Sequence, residues 1–87
     1  MKSWVVYNDR HMWQVFASEK EARAYAAANR NTIVRGFAYG KGDKVKSILG
    51  ETLTIERPAC SVTDALGYKV SGGKWEFYAE DDIVGVA

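Results

Sequence analysis

One segment of this 87-residue chain limits how the rest can be arranged. Residues 18–29 open with Ser18-Glu19-Lys20-Glu21, a capping box in which the Ser18 hydroxyl can accept from the Glu21 amide while the Glu21 carboxylate returns a bond to the Ser18 amide. Ala22, Ala24, Ala26, Ala27 and Ala28 follow with the highest helix propensity. Glu19 and Glu21 suit the positive N-terminal end of the dipole and Arg30 suits the other end. The helix is therefore expected from Ser18 to about Asn29 or Arg30. Its stripe of Ala22, Tyr25, Ala26 and Asn29 is mostly small, so the helix can lie close against a sheet with Tyr25 as its large anchor.

The remainder reads as short strands. Trp4-Val5-Val6-Tyr7 and Met12-Trp13-Gln14-Val15-Phe16 are β-branched and aromatic runs on either side of the polar turn Asn8-Asp9-Arg10-His11, a hairpin signal. Thr32-Ile33-Val34 begins another extended run, and Gly36, Gly40 and Gly42 around Lys41, Asp43 and Lys44 predict an exposed, flexible loop. Glu51-Thr52-Leu53-Thr54-Ile55-Glu56 alternates, with Leu53 and Ile55 inward, until Pro58 removes a ladder donor. Tyr68-Lys69-Val70 and Lys74-Trp75-Glu76-Phe77-Tyr78 flank Ser71-Gly72-Gly73, a second hairpin in which Tyr68, Val70, Trp75 and Phe77 share a face. Ile83-Val84 and Val86 add a short edge strand. The fold class expected is α+β: one Ala-rich helix packed on a small antiparallel sheet of about four to six strands, in a single domain spanning residues 1–87.

Composition narrows the function classes. A hydrophobic fraction of 47% with 26% charged residues and a net charge of +1 fits one small globular domain and not a collagen-like, coiled-coil or disordered chain. A chain this short buries roughly 60 to 65% of the surface its unfolded form exposes, enough for one core. No apolar stretch approaches the roughly 20 residues needed to cross a bilayer, and the first residues lack a hydrophobic signal region, so a soluble, unsecreted protein with no membrane partner is expected. A single Cys60 cannot form an internal disulfide, which favours a reducing cytoplasm. Residues 1–35 hold six Lys/Arg and three Asp/Glu, residues 36–79 six and five, and residues 80–87 none and three, an acidic end on a mildly basic body. That distribution gives little support to nucleic-acid binding and less to a DNA mimic, which needs carboxylates in large excess. Aromatic residues make up 13%, and such rings serve both cores and binding surfaces.

Catalytic constellations are weak. His11 stands in a turn with no partner placed near it, so the reading is a solvated histidine. Cys60 reads as a small buried hydrophobe. Glu80-Asp81-Asp82 lacks the rhythm of a calcium loop and reads as a solvated acidic turn, while one Cys and one His do not fill a tetrahedral zinc site. Residues 36–42 miss the Walker spacing by one, and Gly42 stands where Ser or Thr would bind magnesium. No cofactor is expected.

Binding signals are more numerous. Lys20, Arg23 and Arg30 follow helical spacing on the side away from Ala22 and Tyr25, a stripe that fits a carboxylate-rich partner or phosphates. Arg35-Gly36-Phe37-Ala38-Tyr39 resembles the opening five positions of the RNP1 signature of RNA-recognition motifs, in which exposed aromatics stack bases and the first basic residue contacts phosphate. The sixth and eighth positions are Gly40 and Gly42, and the preferred reading is a loop whose Phe37 and Tyr39 fill or cover a core. The opening strand followed by F-A-S-E-K-E-A-R-A-Y-A-A-A-N, residues 16–29, resembles in style many small bacteriophage-encoded accessory proteins, including host-takeover and anti-defence inhibitors. That resemblance implies a non-enzymatic inhibitor or modulator in the cytoplasm of a bacterial host. Such a protein occludes a functional site on a host protein or complex, with exposed aromatics as anchors and Lys/Arg for orientation. The partner-binding candidates are Lys20, Arg23, Arg30, Arg35, Tyr39, Lys41, Lys44 and Lys74, and a second copy of the chain is an allowed partner. The alternative is a single-stranded nucleic-acid binder that stacks bases on Tyr39, Trp75 or Tyr78 and takes phosphates with Arg35, Lys41, Lys44 and Lys74.

Overall fold

Alternating apolar residues build eight antiparallel strands, and the alanine-rich segment builds the α-helix, in a computed structural model that describes residues 2–10 and 12–87. The reading of His11 lies outside the described residues. The class is α+β, as the sequence implies, with the strands divided between a three-stranded and a five-stranded sheet. The chain divides into two compact units, Met1–Ala38 and Tyr39–Ala87.

Unit 1 holds β1 (Ser3–Tyr7), β2 (Trp13–Phe16), α1 (Glu19–Ala28) and β3 (Ile33–Phe37). Its sheet runs β2-β1-β3. Register pairs Trp4 with Phe16 and with Gly36, so these three share a face. The helix packs on that face: the Tyr25 ring lies 5.3 Å from Phe16, its hydroxyl meets Met12 Sδ at 3.8 Å, and Ala22 is fully buried. Gly36 is a strand residue and not part of a loop, because the Trp4 ring lies over it and a Cβ there would stand 2.7 Å from that ring. Val6 is fully buried on the helix side, and burying a valine stabilises a fold by roughly 1.5 to 3 kcal/mol.

The helix starts as its cap dictates, with Ser18 Oγ accepting from the Glu21 amide at 3.4 Å; the reciprocal bond to Glu21 is not made. It ends at Ala28, which corrects the placement of Arg30 on the helical stripe. Asn29 leaves the helix in an extended conformation, its side chain donating to Tyr25 O at 2.8 Å, and the Thr32 hydroxyl donates to Asn29 O at 2.9 Å. Side-chain bonds of this kind offer the backbone an alternative to another helical turn.

Unit 2 is a five-stranded sheet in the order β7-β6-β5-β4-β8, comprising β4 (Lys44–Ser47), β5 (Thr52–Cys60), β6 (Leu66–Ser71), β7 (Phe77–Ala79) and β8 (Ile83–Val86). A 3-10 turn, Glu80–Asp82, carries the chain from β7 to β8, which pairs with β4. Val45, Leu53, Ile55, Pro58, Tyr68, Val70 and Tyr78 form the core.

Three expectations are corrected here. β5 continues through Pro58 to Cys60, because β4 stops pairing at Thr54 and the proline sits where β6 is the sole ladder neighbour. Tyr78, and not Phe77 or Trp75, faces the core beside Tyr68: the register pairs Tyr68 with Tyr78, and the connection from Ser71 to Phe77 is longer than the three residues a tight hairpin would need. Cys60 is exposed. Desolvation and the neighbouring Asp64 carboxylate push its thiol above the ordinary value, which disfavours the thiolate.

Candidate functional site

In unit 2 one carboxylate ties two loops together. The Ser47 hydroxyl accepts from the amides of Leu49 and Glu51, each at 3.2 Å, which shapes the β4–β5 turn, and it donates to Glu51 Oε1 at 3.2 Å. Glu51 also accepts from the Tyr78 hydroxyl at 2.5 Å and from the Lys74 amide at 2.7 Å. The Tyr78 bond is the main cause holding the Glu51 carboxyl below its ordinary value; burial opposes it, and the Lys74 amide adds to it. Burial pushes the Tyr78 hydroxyl up, and its bond to Glu51 acts in the same direction. The β4–β5 turn and the β6–β7 loop are thus fastened side by side at one end of the sheet.

Those fastened loops carry large apolar side chains outward. Ile48 is 61% exposed, Leu49 57% and Trp75 52%. The Trp75 ring leans on Tyr78 at 5.6 Å, and Lys74 Nζ sits 5.4 Å from the Trp75 ring centroid. Ile48 donates its amide to Asp82 O at 2.9 Å, so the acidic turn Glu80–Asp82 borders the patch. Exposed apolar side chains on tethered loops bordered by charge are a feature shared by many interaction surfaces.

Unit 1 presents basic groups. Lys20 and Arg23 are exposed on α1, and Arg23 is engaged by Glu19 through Nε at 3.0 Å and Nη2 at 2.9 Å. Arg30, beyond the helix, lines a cleft of about 550 Å³ with Asn8, Asp9, Arg10, Asn31 and Ile33. Arg35 and Phe37 share the sheet face opposite the helix, the guanidinium 4.5 Å over the ring, with Trp13 edge-on to Phe37 at 6.5 Å. Phe37 is 1% exposed and has no face to offer a base. The RNP1-like segment is therefore strand up to Phe37 and not the loop expected, with Phe37 in a core and Tyr39 half-buried beyond it.

The other candidates belong to unit 2. Tyr39 is half-buried, edge-on to Tyr68 at 6.0 Å, and Tyr78 is buried, which removes it as a stacking platform. Lys41 is exposed in the turn before β4, and Lys44 points outward with Nζ 3.5 Å from Thr54 Oγ1. Lys74 alone of the eight lies at the Trp75 patch. Ile48, Leu49, Asn8, Arg10 and Asn31 escaped the sequence reading. The apolar pair Ile48-Leu49 inside a turn was the available signal, since turns are ordinarily polar.

Among the described residues no group of three or more metal-ligating side chains gathers, and no helix is long and apolar enough to cross a membrane. Comparison with protein-family models, with curated proteins and with solved structures finds no match for this chain.

Proposed function

We propose that this is a non-enzymatic binding protein that docks on a partner protein or complex and covers a functional site of it, in the manner of small bacteriophage-encoded inhibitors acting in the cytoplasm of a bacterial host. The observation that carries the reading is Trp75, half-exposed on a loop that the Glu51 bonds fasten to the turn carrying the exposed Ile48 and Leu49. Tryptophan anchors of this kind dominate interface energetics. The acidic turn beside Ile48 favours a partner whose apolar ridge is rimmed by Lys or Arg.

The test is affinity capture from a bacterial lysate with wild type, Trp75→Ala and an Ile48→Ser, Leu49→Ser double variant, each with and without nuclease. The expected result is a nuclease-resistant protein partner that wild type retains and both variants lose, with melting temperatures unchanged. Capture that nuclease abolishes, or that Trp75→Ala leaves intact, overturns the reading.

A further inference from the structure

The cleft of unit 1 lies apart from the Trp75 patch in sequence and in chemistry. Its two walls are built independently. On one, Asn8 Oδ1 accepts from the Arg10 amide at 3.0 Å and the Met12 amide at 3.1 Å, which ties Arg10 and Met12 to Asn8 and leaves the Asn8 Nδ2 group as a donor. On the other, the bonds of Asn29 and Thr32 close the exit from α1 and place Asn31 at φ 62°, in the left-handed region that Asn tolerates.

The backbones are thus held while the functional groups are unused. Among the described residues, no hydrogen bond or ion pair engages the side chains of Arg10, Arg30 or Asn31. Two arginines line one concavity, and the planar forks of their guanidinium groups match phosphoryl oxygens. Phosphate alone would leave the rest of the lining without purpose. Asp9 accepts only and disfavours an anion next to it, so it calls for N–H donors on the same ligand. Ile33, 55% exposed at the start of β3, offers an apolar wall to a flat ring. A volume of about 550 Å³ suits a small molecule.

We infer that this cleft binds a nucleoside phosphate, with Arg10 and Arg30 on the phosphoryl group, Asp9 and the carboxamides of Asn8 and Asn31 on the edge of the base, and Ile33 against its face. This goes beyond the docking role and does not depend on it.

The test uses the full chain, titrated by amide chemical-shift perturbation with inorganic phosphate, the four ribonucleoside 5′-monophosphates, the matching nucleosides, and a tetranucleotide without terminal phosphate. At least one monophosphate is expected to shift the amides of Asn8, Arg10, Asn31 and Ile33 with a dissociation constant of about 1 mM or tighter, while phosphate and the nucleoside bind about tenfold more weakly. Arg10→Gln and Arg30→Gln are each expected to weaken it about tenfold at unchanged melting temperature. Asp9→Asn is expected to weaken the nucleotide while leaving or improving phosphate. Tighter binding of the tetranucleotide keeps the same chemistry and assigns its source to a nucleic-acid chain. Perturbations elsewhere only, binding of phosphate equal to that of every nucleotide, or full affinity in an Arg10→Gln, Arg30→Gln double variant overturns the inference.

Discussion

At the scale of single residues, the least forgiving position is Gly67. A Cβ there would run into the Tyr78 carbonyl oxygen and stand 2.7 Å from Ala79 Cα, both backbone atoms of the neighbouring strand, which cannot rotate away as a side chain could. Gly67→Ala must therefore part β6 from β7, and the loss expected is about 3 kcal/mol, at the upper end of overpacking costs. Gly85 is the control. It also lies in a strand, but a Cβ there meets nothing within 4 Å, so Gly85→Ala is expected to stay within about 0.5 kcal/mol of wild type in the same denaturant titration. Equal effects at the two sites would show that the strand spacing at Gly67 is adaptable. Neither role was visible in the sequence, where both are glycines in β-branched and aromatic surroundings. The difference comes from which backbone lies opposite.

At the scale of elements, local chemistry was legible and long-range chemistry was not. The start of α1 follows from Ser18 and the acidic first turn, four adjacent residues that act on one another directly. Ser18→Ala is expected to cost about 0.5 to 1 kcal/mol, the lower part of the usual range, because the cap bond is long and its reciprocal partner is missing. Far-UV circular dichroism on heating reads this, and an unchanged transition would remove the cap from the account. The end of α1 falls one or two residues before the expected Asn29 or Arg30 because Asn29 and Thr32 divert the backbone, a choice that helix propensity does not register. The face of the β6–β7 hairpin was misread for a different reason. Its loop is set by the Lys74 amide reaching Glu51, 23 positions earlier in the chain. For the same reason Ile48 and Leu49 drew no reading from the sequence while Trp75 was already a candidate: an aromatic near a turn invites attention, whereas an aliphatic pair gives no sign of facing outward until its turn is seen.

At the scale of the molecule, charge and titration divide between the units. Unit 1 holds six Lys/Arg against three Asp/Glu and unit 2 six against eight, so they carry +3 and −2. The basic residues of the proposed nucleotide cleft and the acidic turn beside the proposed docking patch thus belong to different units. Stability should depend on pH through the Glu51–Tyr78 pair. Glu51 is held below its ordinary 4.5, so its contribution is present above that value and lost as pH falls through the folded value. Tyr78 is held above its ordinary 10.0, so its contribution is present below that value and lost as pH rises through the folded value. Melting temperature is therefore expected to hold a plateau between these limits, and Tyr78→Phe to lower the plateau and flatten both shoulders. Identical pH profiles for the two proteins would sever the pair from stability. Pro58 has a consequence for the molecule in the company of other chains. Past Ile55, β5 keeps a ladder partner on one side only, and an unpartnered strand flank is a template on which foreign strands polymerise. A strand laid there meets a missing rung at Pro58, so one residue guards that flank against fibrous growth without placing a charge beside the core.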